Sequence, residues 1–590
     1  PTANPPDGFD AADSRKKRCP DVMLAQLLIR LAAARGHLVL VGILLVAAGL
    51  RFWGLSFGLP HDHCRPDENL LVHHALSIGA GDLNPHAFYW PTLHFYLLAL
   101  VFGVYFVAAS AVDAFSGLQE FELYFHLDPS PFYLLGRSLS ALFGTATVWL
   151  TYKIGRMLGD HRAGQISALF LAVCFLHVRD SHFLTTDVPA TFYFVASCGM
   201  TLRYAKMGRT RDLYWGAALL GFAASTKYNL GLFAITVLLA GLHGSGSLPQ
   251  IARRLLATVG FMAIAFIAVS PYIVLDFATF WRDFTGVRSL VHYGRRIDPG
   301  NGWWYYLQFV LPHSLGWPLL AAGLAGAVRW TLRRRLAELS LLSGLIFYFA
   351  VAGSGKGVYF RYLIPLMPLL CLGAGLLVSD IARTRLRAWT AALLIAAPTA
   401  WASYNFNGLL SQTDTRLLAA RWIEQHVAAG AKIARCCSRS LYGHPQLRLS
   451  LGAAEQRKAE LSRAGYSYRR WRYLQAIEEQ ASRPGYDLVE LIRGDDSGYS
   501  WTWSQYDLNR LRRERVEWVV VQEYPHLNYS HSDPSLAAQL QGYAVKTFDP
   551  LTGAATPVYD RNDAFYLAVA GFGGLSRPRP KISIYRIDIQ

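Results

Sequence analysis

Asp67 and Glu68 stand side by side in residues 59–92, among side chains that a plain connecting loop has no use for. His61, His63, His73 and His74 share the stretch, as does the aromatic–proline run Tyr89-Trp90-Pro91. The helix dipole and capping favour a carboxylate at a helix start without any chemistry, so capping and catalysis weigh equally for Asp67. The chemical reading comes from place. A carboxylate at a membrane surface, beside cations and water-excluding aromatics, is suited to taking a proton from a hydroxyl. Glu68 joins Asp67 in the candidate catalytic set, but it points about 100° away around the helix and is expected to matter less.

A third acid, Asp187, sits in His182-Phe183-Leu184-Thr185-Thr186-Asp187-Val188-Pro189. Asp before Val-Pro is an ordinary helix start, so capping is the stronger expectation there; the alternative is a second acid that orients an acceptor or helps hold a metal. Lys356 and Arg361 lie in Gly353-Ser354-Gly355-Lys356-Gly357-Val358-Tyr359-Phe360-Arg361. This is not a Walker loop, because Gly357 stands where Ser or Thr should follow the lysine and no strand precedes it. Glycine-flanked cations at headgroup level suit a phosphate or pyrophosphate on a lipid, against plain contact with anionic headgroups. Lys227 and Arg295 are further cations expected on the same side. His61-Asp62-His63-Cys64 has zinc-type side chains, but adjacent residues crowd one ion poorly, and no metal ligands are assigned.

These groups need a scaffold, and the composition describes one. Of 590 residues 53% are hydrophobic and only 16% charged, with mean hydropathy +0.21, which is a membrane-protein balance. Many apolar runs approach the ~20 residues that cross a bilayer as a helix. The net charge of +17 does not indicate nucleic acid, because the basic residues sit in short loops between apolar runs. Seven cysteines are too few and too scattered for a disulfide framework, and adjacent Cys436 and Cys437 are not expected to bridge each other.

The charge pattern orders the chain. Residues 1–36, with Arg15-Lys16-Lys17-Arg18, read as a cytoplasmic tail before a signal-anchor helix. Arg51 near the outer end of that helix is expected to pair with a carboxylate of the next loop or to snorkel. The loop after residue 112 carries Asp113, Glu120, Glu122 and Asp128 without Lys or Arg, which is wrong for a cytoplasmic side. Segment 93–112 is therefore read as re-entrant or juxtamembrane, and the later loops then alternate correctly. About eleven transmembrane helices result, in a membrane domain 37–403 with first outer loop 58–131. Residues 404–590 read as a soluble α/β domain outside the membrane. Thr413-Asp414 caps its first helix, and strands are expected near 432–434, 517–521 and 581–587.

The stretches RPDENLLVHHALSIGAGDLNPHAFYWPTLHFY, SHFLTTDVPATF, ASTKYNLGL, YFRYLIPLMPLL, TDTRLLAARWIEQHV and DAFYLAVAGFGG together resemble bacterial GT-C-fold, family 39-like glycosyltransferases. These are relatives of protein O-mannosyltransferases and of the lipid A aminoarabinose transferase. The resemblance implies an inverting glycosyltransferase using a polyprenyl-phosphate sugar donor and an acceptor hydroxyl on a glycan, lipid or protein. It further implies a multi-pass protein of the bacterial inner membrane with a periplasmic C-terminal domain. By this analogy Asp67 is the base, Asp187 matches the second acid, and the segment at Arg361 engages the donor phosphate, with Lys356, Lys227 and Arg295 as helpers. No cofactor follows from it, and a divalent metal stays open. Two rival classes are a lipid-linked sugar transporter and a catalytically silent structural subunit. The candidate groups gather on one side only, which argues against a transport pathway.

Overall fold

The computed structural model describes residues 37–243, 246–293, 298–436, 441–455, 483–494, 501–503, 507–524, 534–562 and 566–588. The tail 1–36, Arg295, and Cys437 lie outside the described residues. Cys436 is disulfide-bonded, so the expectation about the adjacent pair turns on residues outside this description.

The chain opens with α1, His37–Phe52, which buries Leu40, Ile43 and Ala47 and leaves Leu38 and Leu45 exposed. Then come α2 (Glu68–Gly79), α3 (Leu93–Ser110), α4 (Leu118–Leu127) and the 29-residue α5, Ser130–Leu158. Next are α6 (His161–Val173), α7 (Phe175–Asp180), α8 (Asp187–Met207) and α9 (Thr210–Thr226). Small residues set how closely these rods approach. A Cβ on Gly155 of α5 would stand 2.8 Å from Gly164 Cα of α6. Further on, Gly326 and Gly373 let helices Trp317–Arg333 and Leu366–Ile381 cross backbone to backbone.

Among the described residues three helices are long and apolar enough to cross a membrane, Leu93–Ser110, Leu248–Ala268 and Leu336–Gly353, or four if the bent pair Gly302–Leu315 and Trp317–Arg333 counts as one span. Several expected crossings differ in form. Segment 307–328 is not one rod, because Gly302–Leu315 and Trp317–Arg333 meet at 112° around Gly316, whose φ of 73° only glycine adopts readily. The helix expected over 163–175 breaks at Cys174 (ψ 115°) into α6 and α7. Segment 93–112 does not dip and return. It is one unbroken helix, and a return would need a break in its hydrogen-bond ladder. It packs on the first turns of α5, through Phe102 and Tyr105 on Phe132 and Leu98 beside Gly136, and on α2 and α4, through Phe95 on His74 and Phe106 on Phe121. The loop expected after residue 275 contains a further helix, Phe277–Tyr293.

Arg51 takes neither expected course. It is fully buried and donates to the carbonyls of Ala172 (3.0 Å), Leu171 (3.1 Å) and Ala47 (3.0 Å), with Nη2 2.8 Å from His177 Nδ1. The last carbonyls of a helix have no intrahelical donor, and a cation there also meets the negative end of the dipole. Arg51 thus closes the end of α6.

The two ends of the bundle differ chemically. At one end Arg162 donates to Ser379 O (2.6 Å) and Arg333 to Asp380 (2.7 Å). The other end carries Asp67, Asp187, Lys227 and Arg361. Beyond it the chain forms helix Thr415–His426, whose N-cap Asp414 accepts from Arg416 N and whose Ala419, Ile423 and Val427 are buried. Strands β1 (Lys432–Cys436), β2 (Asp487–Glu490), β3 (Ile492–Gly494), β4 (Trp501–Trp503), β5 (Trp518–Glu523), β6 (Ala544–Phe548) and β7 (Lys581–Arg586) follow. Five of them make one sheet in the order β2-β1-β5-β7-β6. It is parallel from β2 to β5 and antiparallel beyond, while β3 and β4 form a separate hairpin.

Candidate active site

Asp67 precedes α2 at φ 76°, a left-handed conformation that a residue with a Cβ seldom adopts without compensation. Its carboxylate makes no capping hydrogen bond to α2. It is turned instead to Arg361, whose Nη1 donates to Oδ2 at 2.7 Å across 294 residues of sequence. Arg361 lies in the short 3-10 turn Phe360–Leu363, its guanidinium 5.1 Å from the Tyr359 ring. The side chains of this pair stay 22% and 16% exposed, enough for a ligand to reach them.

Asp187 also does not cap. The N-cap position of α8 belongs to Thr186, and the Asp187 carboxylate pairs with Lys227 at the end of α9. Lys227 Nζ lies 5.0 Å from the Tyr362 ring, next in sequence to Arg361, so the Asp187–Lys227 pair borders the Asp67–Arg361 pair.

Glu68 occupies a different environment one peptide away. Fully buried, it accepts two hydrogen bonds from Arg137 at 2.6 and 3.1 Å and one from Leu184 N–H at 2.8 Å. Arg137 also donates to Leu55 O (2.7 Å) and Phe57 O (2.9 Å). Both Glu68 oxygens are therefore committed to fixing α2 against α5 and the loop before α8. Lys356 is in an exposed ion pair with Asp298 at 2.8 Å; both side chains are 57% exposed. Arg295 falls outside the described residues.

The histidine cluster is knitted into the protein. His61 Nε2 donates to His444 O (2.7 Å), His63 Nδ1 meets Asp62 at 2.5 Å, and Cys64 Sγ donates to Gly58 O. Burial, then the nearby Arg416, lowers the His61 pKa to about 4. Among the described residues no three His, Cys, Asp or Glu side chains converge as a metal site. Sequence reasoning passed over Arg65 and Arg179. Both are fully buried and flank the Phe183 ring at 4.6 and 5.8 Å, and Arg179 also lies 5.6 Å from the Phe360 ring. Arg179 is ion-paired with the equally buried Asp180 at 3.4 Å. The signal for Arg65 and Arg179 was adjacency to the acids in Arg65-Pro66-Asp67 and Arg179-Asp180.

Residues 135–275 match the family described as dolichyl-phosphate-mannose-protein mannosyltransferase. No curated protein matches the chain. Among solved structures it is similar to ArnT from Cupriavidus metallidurans bound to undecaprenyl phosphate, at 13% identity and TM-score 0.47, over 93% of this chain and 97% of that one. It is also similar to the apo oligosaccharyltransferase of Archaeoglobus fulgidus, at 13% identity and TM-score 0.46, over 82% and 69%. The S. cerevisiae protein O-mannosyltransferase Pmt1-Pmt2 complex bound to the sugar donor is similar at 21% identity and TM-score 0.30, over 42% and 34%. The family match, over residues 135–275, points the same way as the motif resemblance.

Proposed function

We propose that the chain transfers a sugar, with inversion, from a polyprenyl-phosphate donor to an acceptor hydroxyl at the outer face of a bacterial inner membrane. The observation that carries this reading is the Asp67–Arg361 contact, in which a helix-start carboxylate forgoes capping to meet a distant cation. In the proposed reaction the donor phosphate takes Arg361 from Asp67 as it binds, leaving the carboxylate to accept a proton. The acceptor oxygen attacks the anomeric carbon, the bond from that carbon to the phosphate oxygen breaks, and its electron pair leaves on the phosphate. The acceptor proton passes to Asp67. Arg361 and Lys227 stabilise the departing charge. Asp187 holds Lys227 in place, and Glu68 acts by positioning α2 and takes no proton itself.

About eleven crossings, with segment 93–112 lying against the membrane and residues 404–590 periplasmic, complete this reading. The exposed Leu100, Val104 and Val107 of α3 support an apolar surface for α3 to rest on.

Asp67→Asn tests it, since the amide keeps size and much of the hydrogen bonding but cannot take the proton. Transfer from a polyprenyl-phosphate sugar should fall ~10²–10⁴-fold while donor binding persists. Unchanged transfer would make Asp67 a structural residue and turn attention to Asp187.

A further inference from the structure

Among the described residues, hydrogen bonds join the C-terminal domain to the bundle at two places, besides the packing of Phe572 on Phe175, and each grip includes a carbonyl three residues ahead of one member of the Asp67–Arg361 pair. On the Asp67 side, Arg416 donates to Cys64 O (3.3 Å), while His61 reaches His444 O (2.7 Å) and Gln446 donates to Asp62 (3.2 Å). Arg416 is itself fixed by two hydrogen bonds to Asp414, at 2.8 and 2.7 Å. On the Arg361 side, Asn562 Nδ2 donates to Val358 O (2.9 Å), and Tyr305 donates to Asp560 (2.5 Å).

The two grips are joined by buried aromatic contacts. The Arg416 guanidinium lies 5.3 Å from the Tyr566 ring; Tyr566 packs on Tyr524 at 4.8 Å, and Tyr524 on Tyr559 at 5.2 Å. Asp560 follows Tyr559 directly. Neither gripped carbonyl belongs to a helix; backbone bonds from Lys356 to His292 O (3.2 Å) and Gly357 to Val291 O (2.9 Å) hold the residues just before Val358, and the domain's donor to Val358 O adds the hold nearest Arg361. Asp67 at φ 76° is equally dependent on its surroundings.

We propose that this tyrosine-linked brace makes Arg416 and Asn562 positioning residues, which set the separation of the base and the phosphate-binding cation from the C-terminal domain. The proposal rests on the reading of Arg361 as the donor-phosphate contact. A lost brace would move Arg361 away from the phosphate rather than remove any group that touches it.

The test uses the full chain in lipid nanodiscs with farnesyl phosphate as probe, followed by calorimetric titration. If Asn562 acts through Arg361, Asn562→Ala weakens binding about 10-fold in the parent but less than about 2-fold on an Arg361→Ala background, because coupled residues are non-additive. Asn562→Gln, which keeps an amide donor, recovers most of the loss. Asn562→Asp has the same shape without the donor and behaves like the alanine variant; it decides the matter should Asn562→Ala not fold. An equal loss on both backgrounds, or parent-like binding by folded Asn562→Asp, overturns the proposal. Parent-like binding by Arg361→Ala alone removes the site reading itself, and the brace proposal with it.

Discussion

Asp67 and Glu68 are consecutive carboxylates, each paired with an arginine, yet they belong to two different regions. The Glu68–Arg137 pair is at most 1% exposed and bidentate, with further bonds to three backbone groups. The Asp67–Arg361 pair stays partly exposed and holds together segments from opposite halves of the chain. Burial with complete hydrogen bonding makes an anchor, because neither charge can be released without leaving the other stranded in a low dielectric. Partial exposure makes an exchangeable contact, because water or a phosphate can replace the partner. Identical chemistry one peptide apart thus gives a buried joint in one case and a partly exposed ion pair in the other.

The comparison breaks most visibly through the anchor. Glu68→Ala should cost ~3–5 kcal/mol of stability by stranding Arg137, and even Glu68→Gln should destabilise the protein clearly. Thermal unfolding in detergent should separate it from Asp67→Asn, whose midpoint stays near the parent. Equal losses by the two variants would erase the distinction.

Arg361 gives the next effect. Arg361→Ala should remove ~2–4 kcal/mol of transition-state stabilisation, and Arg361→Lys should restore only part, since the planar fork is lost. Transfer rates at saturating and limiting donor measure both. Lys356→Ala is the comparison with a solvent-exposed cation already paired with Asp298 and should lose less.

The smallest effect is a pH dependence at the edge of the first outer loop. The folded His61 pKa, lowered to about 4 mainly by burial, lies below its ordinary value of 6.5. The folded protein therefore holds His61 neutral, and its contribution is present above pH 6.5 and lost as pH falls toward 4. Unfolding midpoints measured between these values should drop less steeply for His61→Gln than for the parent. Parallel curves would show that His61 does not titrate on unfolding.

How much was readable before folding differs from residue to residue. Capping by Asp414, the apolar face of Ala419, Ile423 and Val427, and the strands at 432–436, 518–523 and 581–586 follow from local rules, and the sequence carries those rules in full. Asp67, Asp187, Lys227 and Arg361 could be nominated from residue type, flanking aromatics and motif resemblance. The folded chain then put the four into two adjacent pairs.

Partnership was a different matter. Nothing local says that Arg51 closes α6, that Glu68 finds Arg137, that Gly316 turns one expected crossing into two helices, or that Lys356 points to Asp298. Sequence by itself determined the helix-rich, apolar character, the charged loops and the acids and cations available for chemistry, because periodicity and composition act over a few residues. Only the tertiary structure decided which carboxylate is a buried anchor and which stays partly exposed beside Arg361. That choice depends on burial and on hydrogen-bond donors arriving from segments tens to hundreds of residues away.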